Sequence, residues 1–469
     1  MTMELISISN EKKASLINKI LVLSVFFNFL FYQSSLVAQE KGKSKPNIIL
    51  ILVDDLGHHD VSYYGTSDIR TPNIDKLCKA GMRFDNFYAN SCVCSPTRAS
   101  LMSGRYPEMV GVPGLVRSVQ KDNFGFMKPD VVLLPKYLKS ANYNTALVGK
   151  WNLGLESPNL PNEKGFDFFH GFLDDMMDDY YSHLRRGINF MRKNGEEINP
   201  KGHATDFFTD SASDYIKTQK NAKTPFFLYL AYNAPHAPIQ PPAEWLMKIK
   251  QREQGISDTR AKLVASIEHL DDGIGKVIET LKQTGKYENS LIIFLSDNGG
   301  KLEDGANNGN IRDGKGSMYE GGLKIPAFFV WENNIPAGRY SDQKALTMDI
   351  FPTICEVIGN KSQPNFDGLS LLPILHMTRP KLPERTIFFS RREGNMLYGG
   401  QTIQAVVDGN WKLLQNTPYQ PYELYNLGDD PLERNNLKEA NKIEHNRLLS
   451  LMMEHIQKGG SVPWQKALD

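Results

Sequence analysis

Cysteine is scarce in this sequence. Four cysteines in 469 residues (Cys78, Cys92, Cys94 and Cys355) are too few for a disulfide scaffold. Cys92 and Cys94 are one residue apart, too close for an easy mutual bridge, and no His/Cys cluster beside them suggests zinc. Excess positive charge is also missing. The 54 basic side chains face 53 acidic ones, a formal charge of +1, which excludes the electrostatic footprint of a nucleic-acid binder or of a protein held on an anionic membrane surface. Internal repeats and low-complexity stretches are absent as well. What remains, 41% hydrophobic and 23% charged residues, is ordinary globular composition with a small-molecule or carbohydrate partner expected.

The first forty residues read as a targeting segment. Lys12, Lys13 and Lys19 precede an apolar run over residues 20–32, and Val37-Ala38-Gln39 ends a small-residue region, so residues 1–38 are expected to be a signal peptide and 39–46 a linker. The run is shorter than the roughly 20 residues that span a bilayer, and no other segment is long and apolar enough. No cysteine precedes Cys78 to accept a lipid. An exported protein without a stable membrane anchor is expected, periplasmic or extracellular and bacterial.

Beyond the linker, apolar runs alternate with helical patterns. Residues 47–53 form an uninterrupted apolar run that ends in Asp54-Asp55, which reads as a strand buried on both faces. Similar runs lead into Gly149-Lys150-Trp151, Ala234-Pro235-His236 and Ser296-Asp297-Asn298. Helical patterns fall at 72–80, 131–140, 205–217 and 261–284. The pattern predicts an α/β fold with a large, mostly parallel mixed sheet flanked by helices over 47–370. Short antiparallel strands and one closing helix predict a small C-terminal α+β subdomain over 371–469. Ligands of open α/β sheets sit outside the carboxyl ends of the strands, so the four polar strand ends are expected to converge.

The most informative segment is Cys94-Ser95-Pro96-Thr97-Arg98, followed by Gly104-Arg105. It resembles the signature of the formylglycine-dependent (type I) sulfatases, members of the alkaline phosphatase-like superfamily, and the resemblance extends from Asn47 to about Leu437. It implies that Cys94 is oxidised to formylglycine (3-oxoalanine) and that Arg98 orients it. It also implies a maturation partner, a formylglycine-generating or anaerobic sulfatase-maturing enzyme. A hydrated aldehyde suits sulfate transfer because one hydroxyl attacks sulfur and the other expels sulfate afterwards, whereas a serine would end as an inert ester.

Three carboxylates and an amide at strand ends, Asp54, Asp55, Asp297 and Asn298, call for a cation. All-oxygen ligation suits one Ca²⁺, with Mg²⁺ the alternative. The resemblance implies the same four positions, with residue 94 completing the shell. It further places Lys150, His236 and Lys315 as the groups that grip the sulfate and assist the leaving group, with His236 the natural general acid.

One position departs from the family. Where sulfatases usually read Gly-Lys-Trp-His-Leu-Gly, this chain has Asn152 in place of the histidine that serves as base in sulfate release. Asn152 cannot take a proton at neutral pH. Slow elimination, another base (His58, His59 or His170) and loss of activity are the three explanations. For substrate recognition, Tyr180, Tyr181, His183, Arg185 and Arg186 form an aromatic and basic cluster suited to a sulfated sugar, and Arg117, Arg391 and Arg392 are further candidates. The sequence thus points to a sulfatase acting on a sulfated carbohydrate. The alternatives are a formylglycine phosphodiesterase or phosphonate hydrolase, and a sulfatase-like glycan-binding protein without turnover.

Overall fold

Four parallel strands, Asn47–Val53 (β1), Asn144–Lys150 (β2), Phe226–Ala231 (β3) and Ser290–Ser296 (β4), form the centre of a ten-stranded sheet in the computed structural model. The order across the centre is β4-β1-β3-β2, continued by the parallel strand Phe168–Phe172. Antiparallel strands flank this block, Ala327–Val330 on β4 and Met191–Lys193 on Phe168–Phe172. The structure describes residues 45–360, 365–393 and 402–466, so the expected signal peptide and nearly all of the linker lie outside the described residues.

The uninterrupted apolar runs have a direct cause. β1 is buried at all seven positions because helices cover both faces of the sheet. Ile49, Ile51 and Val53 pack under Pro72–Ala80 (α1), Ala204–Thr218 (α3) and Asp258–Gln283 (α4). Ile48, Leu50 and Leu52 face the opposite core, which holds Ala99, Leu101 and Met102 of Cys94–Ser103 (α2). Glycine is required at one point. A Cβ on Gly149 would lie 2.0 Å from the carbonyl oxygen of Ala231, so only glycine lets β2 and β3 approach at their carboxyl ends.

The change of texture after residue 371 is a second sheet. Ile387–Arg392 (β5), Thr402–Asp408 (β6), Trp411–Gln415 (β7) and Glu423–Asn426 (β8) pair antiparallel in sequence order. Lys442–Gly460 (α5) covers it, with Leu448 and Met452 against Val406, Leu413 and Leu424. The chain from Pro46 onward is one compact unit. Buried charge ties the second sheet to the segments around it: Lys412 Nζ lies 2.9 Å from Glu320, in the short helix Glu320–Leu323, and 2.8 Å from Glu433.

A second buried tie joins α5 to the segment after α2. Glu108 pairs with His455 and accepts a 2.9 Å hydrogen bond from Ser390 Oγ. Burial alone would raise the Glu108 pKa, but the His455 hydrogen bond holds it below the ordinary value. A depressed carboxyl contributes stability above its unfolded value of 4.5 and loses it as pH falls through the folded one. Glu108→Gln is therefore expected to cost about 2 kcal/mol at neutral pH. Urea unfolding at a series of pH values should show the gap to wild type closing in acid.

Candidate active site

The carboxyl ends of β1, β2 and β4 deliver Asp54 and Asp55, Lys150, and Asp297 and Asn298, and the turn after β3 delivers His236. Cys94 opens α2, a helix buried at all ten positions although its sequence carries no apolar stripe. Burial of so polar a helix is possible because its side chains are paired. Thr97 Oγ1 donates to Ser91 O at 3.0 Å, and Ser95 Oγ donates to Asn152 Oδ1 at 2.9 Å. Arg98 Nη2 lies 2.8 Å from Asp297 and 3.7 Å from Asp54.

These side chains converge on the Cys94 thiol. Its Sγ lies 3.4 Å from Asp54 Oδ1 and 3.6 Å from Lys315 Nζ. Lys150 Nζ is 2.6 Å from Asp54, Lys315 Nζ is 2.6 Å from Asp55, and His236 Nε2 is 3.7 Å from Asp55. His236 Nδ1 is 2.7 Å from Ala237 O. A carbonyl only accepts, so Nδ1 carries the proton and Nε2 faces the acidic cluster.

The site's electrostatics follow from burying opposite charges together. Burial opposes ionisation of Asp54, but Lys150, His236, Arg98 and Lys315 hold its carboxyl far below the usual range. Burial and the neighbouring Asp54 charge push Asp297 up to about 7. Burial and Asp54 also push the Cys94 thiol well up, so it stays protonated and unreactive at neutral pH. Lys315 stays charged despite burial because Asp55 faces it.

The cluster could hold a metal ion. Asp54, Asp55, Cys94 and His236 each offer an atom within 4.8 Å of the others, and Asn298 Oδ1 is buried without a hydrogen-bond partner among the described residues. Asp297 joins through Asp55, whose backbone N–H donates to Asp297 Oδ1 at 3.2 Å, while its other oxygen takes the Arg98 fork. A second cluster, His203, Asp206 and His269, does not have this character. His203 Nδ1 accepts from Thr205 N–H and Nε2 is 2.9 Å from Gln240 O, which leaves no lone pair for a metal.

Asn152 is built into the scaffold. Its Oδ1 takes the Ser95 hydroxyl, its Nδ2 donates to Val116 O at 2.9 Å, and its backbone sits at φ 56°, a region asparagine tolerates well. The three histidines considered as substitutes lie elsewhere. His58 packs on Tyr64 and His59, with Lys324 and Arg83 near, and His170 stands edge-on to Phe207. Asn152→His is therefore expected to lower activity and stability, the latter by about 1–3 kcal/mol, because both hydrogen bonds are lost in a sealed space. Thermal unfolding and sulfate release on the same preparation would check it.

The recognition cluster divides. Tyr180 is buried and its hydroxyl donates to the carbonyls of Asn233 and His236, so it supports the His236 turn. His183 is buried beside Phe207. Arg185 is paired with Asp178 at 2.6 Å and Asp175 at 3.3 Å, and exposed Arg186 caps Asp178 through its backbone. Arg117 and Arg391 share Glu393, and the Arg391 guanidinium borders Gly316, next to Lys315. Sequence reasoning missed the supporting roles of Ser95 and Glu393 and read Tyr180 as a sugar contact, whereas its hydroxyl supports the His236 turn. Nothing local marks them, since each acts on a residue distant in the chain.

Cations and a metal-fitting acidic corner, gathered at the ends of a parallel sheet around one buried side chain, place the molecule among the alkaline phosphatase-like hydrolases. Comparison with known proteins narrows this class. The Sulfatase family model matches residues 46–360, and the chain belongs to that family and is a sulfuric ester hydrolase. A second model, "N-sulphoglucosamine sulphohydrolase, C-terminal", matches residues 313–459. N-acetylgalactosamine-6-sulfatase of Mus musculus is 33% identical over 82% of this chain and 75% of its own length. The uncharacterized sulfatase YdeN of Escherichia coli is 30% identical over 74% and 68%. The crystal structure of Ps i-CgsB in complex with k-i-k-neocarrahexaose superposes with a TM-score of 0.81 at 32% identity, covering 90% of this chain and 94% of that one.

Proposed function

We propose that this protein is an exported bacterial sulfatase that hydrolyses sulfate esters on a sulfated carbohydrate, with formylglycine at position 94 and one bound Ca²⁺. The observation that carries the reading is the position of Cys94. It starts a buried helix, with Asp54 and Lys315 within hydrogen-bonding reach of its sulfur. The carbohydrate assignment is supported by the sugar substrates and ligands named for the relatives. Export rests on the N-terminal pattern; among the described residues no helix is long and apolar enough to cross a membrane.

Asp54, Asp55, Asp297 and Asn298 would hold the calcium, which supplies Lewis-acid stabilisation of a sulfuryl oxygen. The hydrated aldehyde supplies paired hydroxyls at one carbon, one for attack at sulfur and one for release of sulfate. The protein's own residues do the rest. Three carboxylates face Arg98, Lys150 and Lys315, so a divalent cation leaves the pocket net positive and complementary to sulfate. Lys150 and Lys315 donate to the anion's oxygens, and His236, doubly protonated with Nδ1–H kept on Ala237 O, gives its Nε2 proton to the departing sugar oxygen. Arg98 holds Asp297 and, through a 3.2 Å bond to Lys150 O, the end of β2.

The test is mass spectrometry of the tryptic peptide 84–98 from protein made in its native host, together with assay of sulfate release. Aldehyde at position 94, a thiol at Cys92 and release of sulfate from a sulfated glycan are expected. A thiol at position 94, in a host whose other sulfatases are converted, would overturn the reading in favour of a glycan-binding protein. A kcat/KM that strongly prefers phosphate diesters over aryl sulfates would overturn it in favour of a phosphodiesterase.

A further inference from the structure

Asn298 and Lys315 reach Asp55 from the two arms of one loop. Just past the end of β4, Asn298 Nδ2 donates to Asp55 Oδ1 at 2.8 Å, and on the returning arm Lys315 Nζ stands 2.6 Å from Asp55. The residues between, 299–314, hold one short helical turn, Leu302–Asp304, and Leu302, Glu303, Asn310, Arg312 and Asp313 are exposed. So irregular a backbone does not by itself hold an ammonium group to the roughly 0.5 Å that a preorganised site demands.

Asn308 supplies the fastening. It is buried in this otherwise open loop. Its amide takes both polar groups of Gly300, Oδ1 accepting from Gly300 N–H at 2.9 Å and Nδ2 donating to Gly300 O at 2.9 Å. Nδ2 also donates to Asp313 O at 3.0 Å, and Lys315 N–H donates to the same Gly300 carbonyl at 3.1 Å. One side chain thus joins the outgoing arm, two residues beyond Asn298, to the returning arm, two residues before Lys315. The pattern needs an acceptor and two donors on one short side chain, which asparagine carries. Among the described residues no other side chain hydrogen-bonds Gly300.

The clamp has a fixed base. Asn307 N–H donates to Asp60 Oδ2 at 2.9 Å, and Asn307 O accepts from His59 N–H at 2.9 Å. Asp60 is buried and paired with Arg260 of α4. The loop therefore rests on the segment that follows Asp54 and Asp55. Gly314 completes the contact: a Cβ there would lie 2.4 Å from Gly300 O and 2.9 Å from Asn308 Nδ2, although its φ lies outside the left-handed region.

We propose that Asn308 is a positioning residue for the sulfatase reaction: by clamping Gly300 to Asp313 it sets where the Lys315 ammonium stands over Asp55 and residue 94. The proposal rests on the reading of Lys315 as a group that grips sulfate. Asn308 acts through Lys315, so its loss is felt only while Lys315 is present.

The experiment is a double-mutant cycle in full-length protein with the aldehyde confirmed at position 94. The substrate is whichever the wild type turns over fastest among an aryl sulfate and oligosaccharides of carrageenan and chondroitin sulfate. Asn308→Ala should lower kcat about 30-fold and change KM less than about threefold, because the lysine charge stays near the sulfate while its placement in the transition state is lost. In a Lys315→Ala background the same change should cost less than about threefold. Gly314→Ala pushes the loop off Gly300 with Asn308 intact and should repeat both results, so misfolding of one variant, read by circular dichroism, does not remove the test. An equal loss in the two backgrounds, a loss carried by KM alone, or undiminished turnover overturns the positioning role while leaving sulfatase activity established. Failure of both variants to fold overturns it in favour of a structural role. No turnover of any sulfate ester by the wild type overturns the proposed function and the positioning role with it.

Discussion

Cys94→Ala protein is expected to fold as the wild type does and to release sulfate at least about 10⁴-fold more slowly. The fold should survive because the change is small. Cys94 is 2% exposed, and its loss removes one sulfur and its hydrogen bonds with Asp54 and Lys315 in a pocket already held by Arg98, Lys150 and Lys315. Stability should fall by about 1 kcal/mol or less. Activity should not survive, because no other nucleophile takes that place. Cys92, also buried, has its thiol pushed up to about 11 by burial. Circular dichroism and sulfate release on the same preparation separate the two effects. Undiminished turnover in Cys94→Ala would place the nucleophile elsewhere and remove the basis of the proposed function.

Arg98→Ala is expected to damage fold and function together. Its guanidinium is fully buried and donates to Asp297 through Nε at 3.1 Å and Nη2 at 2.8 Å. Truncation strands a buried carboxylate, a loss worth about 3–5 kcal/mol, and leaves a cavity where a large side chain stood. The Asp297 carboxyl, already pushed up to about 7 by burial and by Asp54, would rise further without the arginine. A raised carboxyl costs the folded state more as pH climbs from the unfolded value of 3.8 through the folded one. The stability deficit should therefore widen as pH rises through neutrality, as chemical denaturation at several pH values would show. Arg98→Lys keeps the charge without the fork and should fall between the two. A deficit that does not vary with pH would mean that Asp297 is not the group left unpaired.

The central sheet and the residues that gather at its carboxyl ends were legible in the sequence for one physical reason. A strand buried on both faces must be apolar throughout, so the polar residues that end it stand out, and four such ends named Asp54, Asp55, Lys150, His236, Asp297 and Asn298. Cys94 and Arg98 were legible because their motif is contiguous. Strands such as Met82–Phe84 and Arg339–Ser341 are too short for any period to show. Long-range pairing was equally silent. Arg117 and Glu393 are 276 positions apart, and a count of charges cannot say which arginine is already spoken for. Arg185 illustrates the cost: it read as a ligand for sulfate, yet it stands against Asp175 and Asp178. Asn152 read as a deficit, although the structure gives it two hydrogen bonds that a histidine would not reproduce.

The burial of Cys94 also sets a timetable for biosynthesis. A modifying enzyme needs its target peptide in hand, and here the target is the first turn of a helix with every residue enclosed, its thiol unreactive once the fold closes. Under the proposed function, conversion of Cys94 must therefore outrun folding of the newly made chain. The active fraction in any preparation then records that race. Slower folding, for instance at reduced growth temperature, or more of the maturing enzyme, should raise the specific activity of purified protein without changing how much of it is folded.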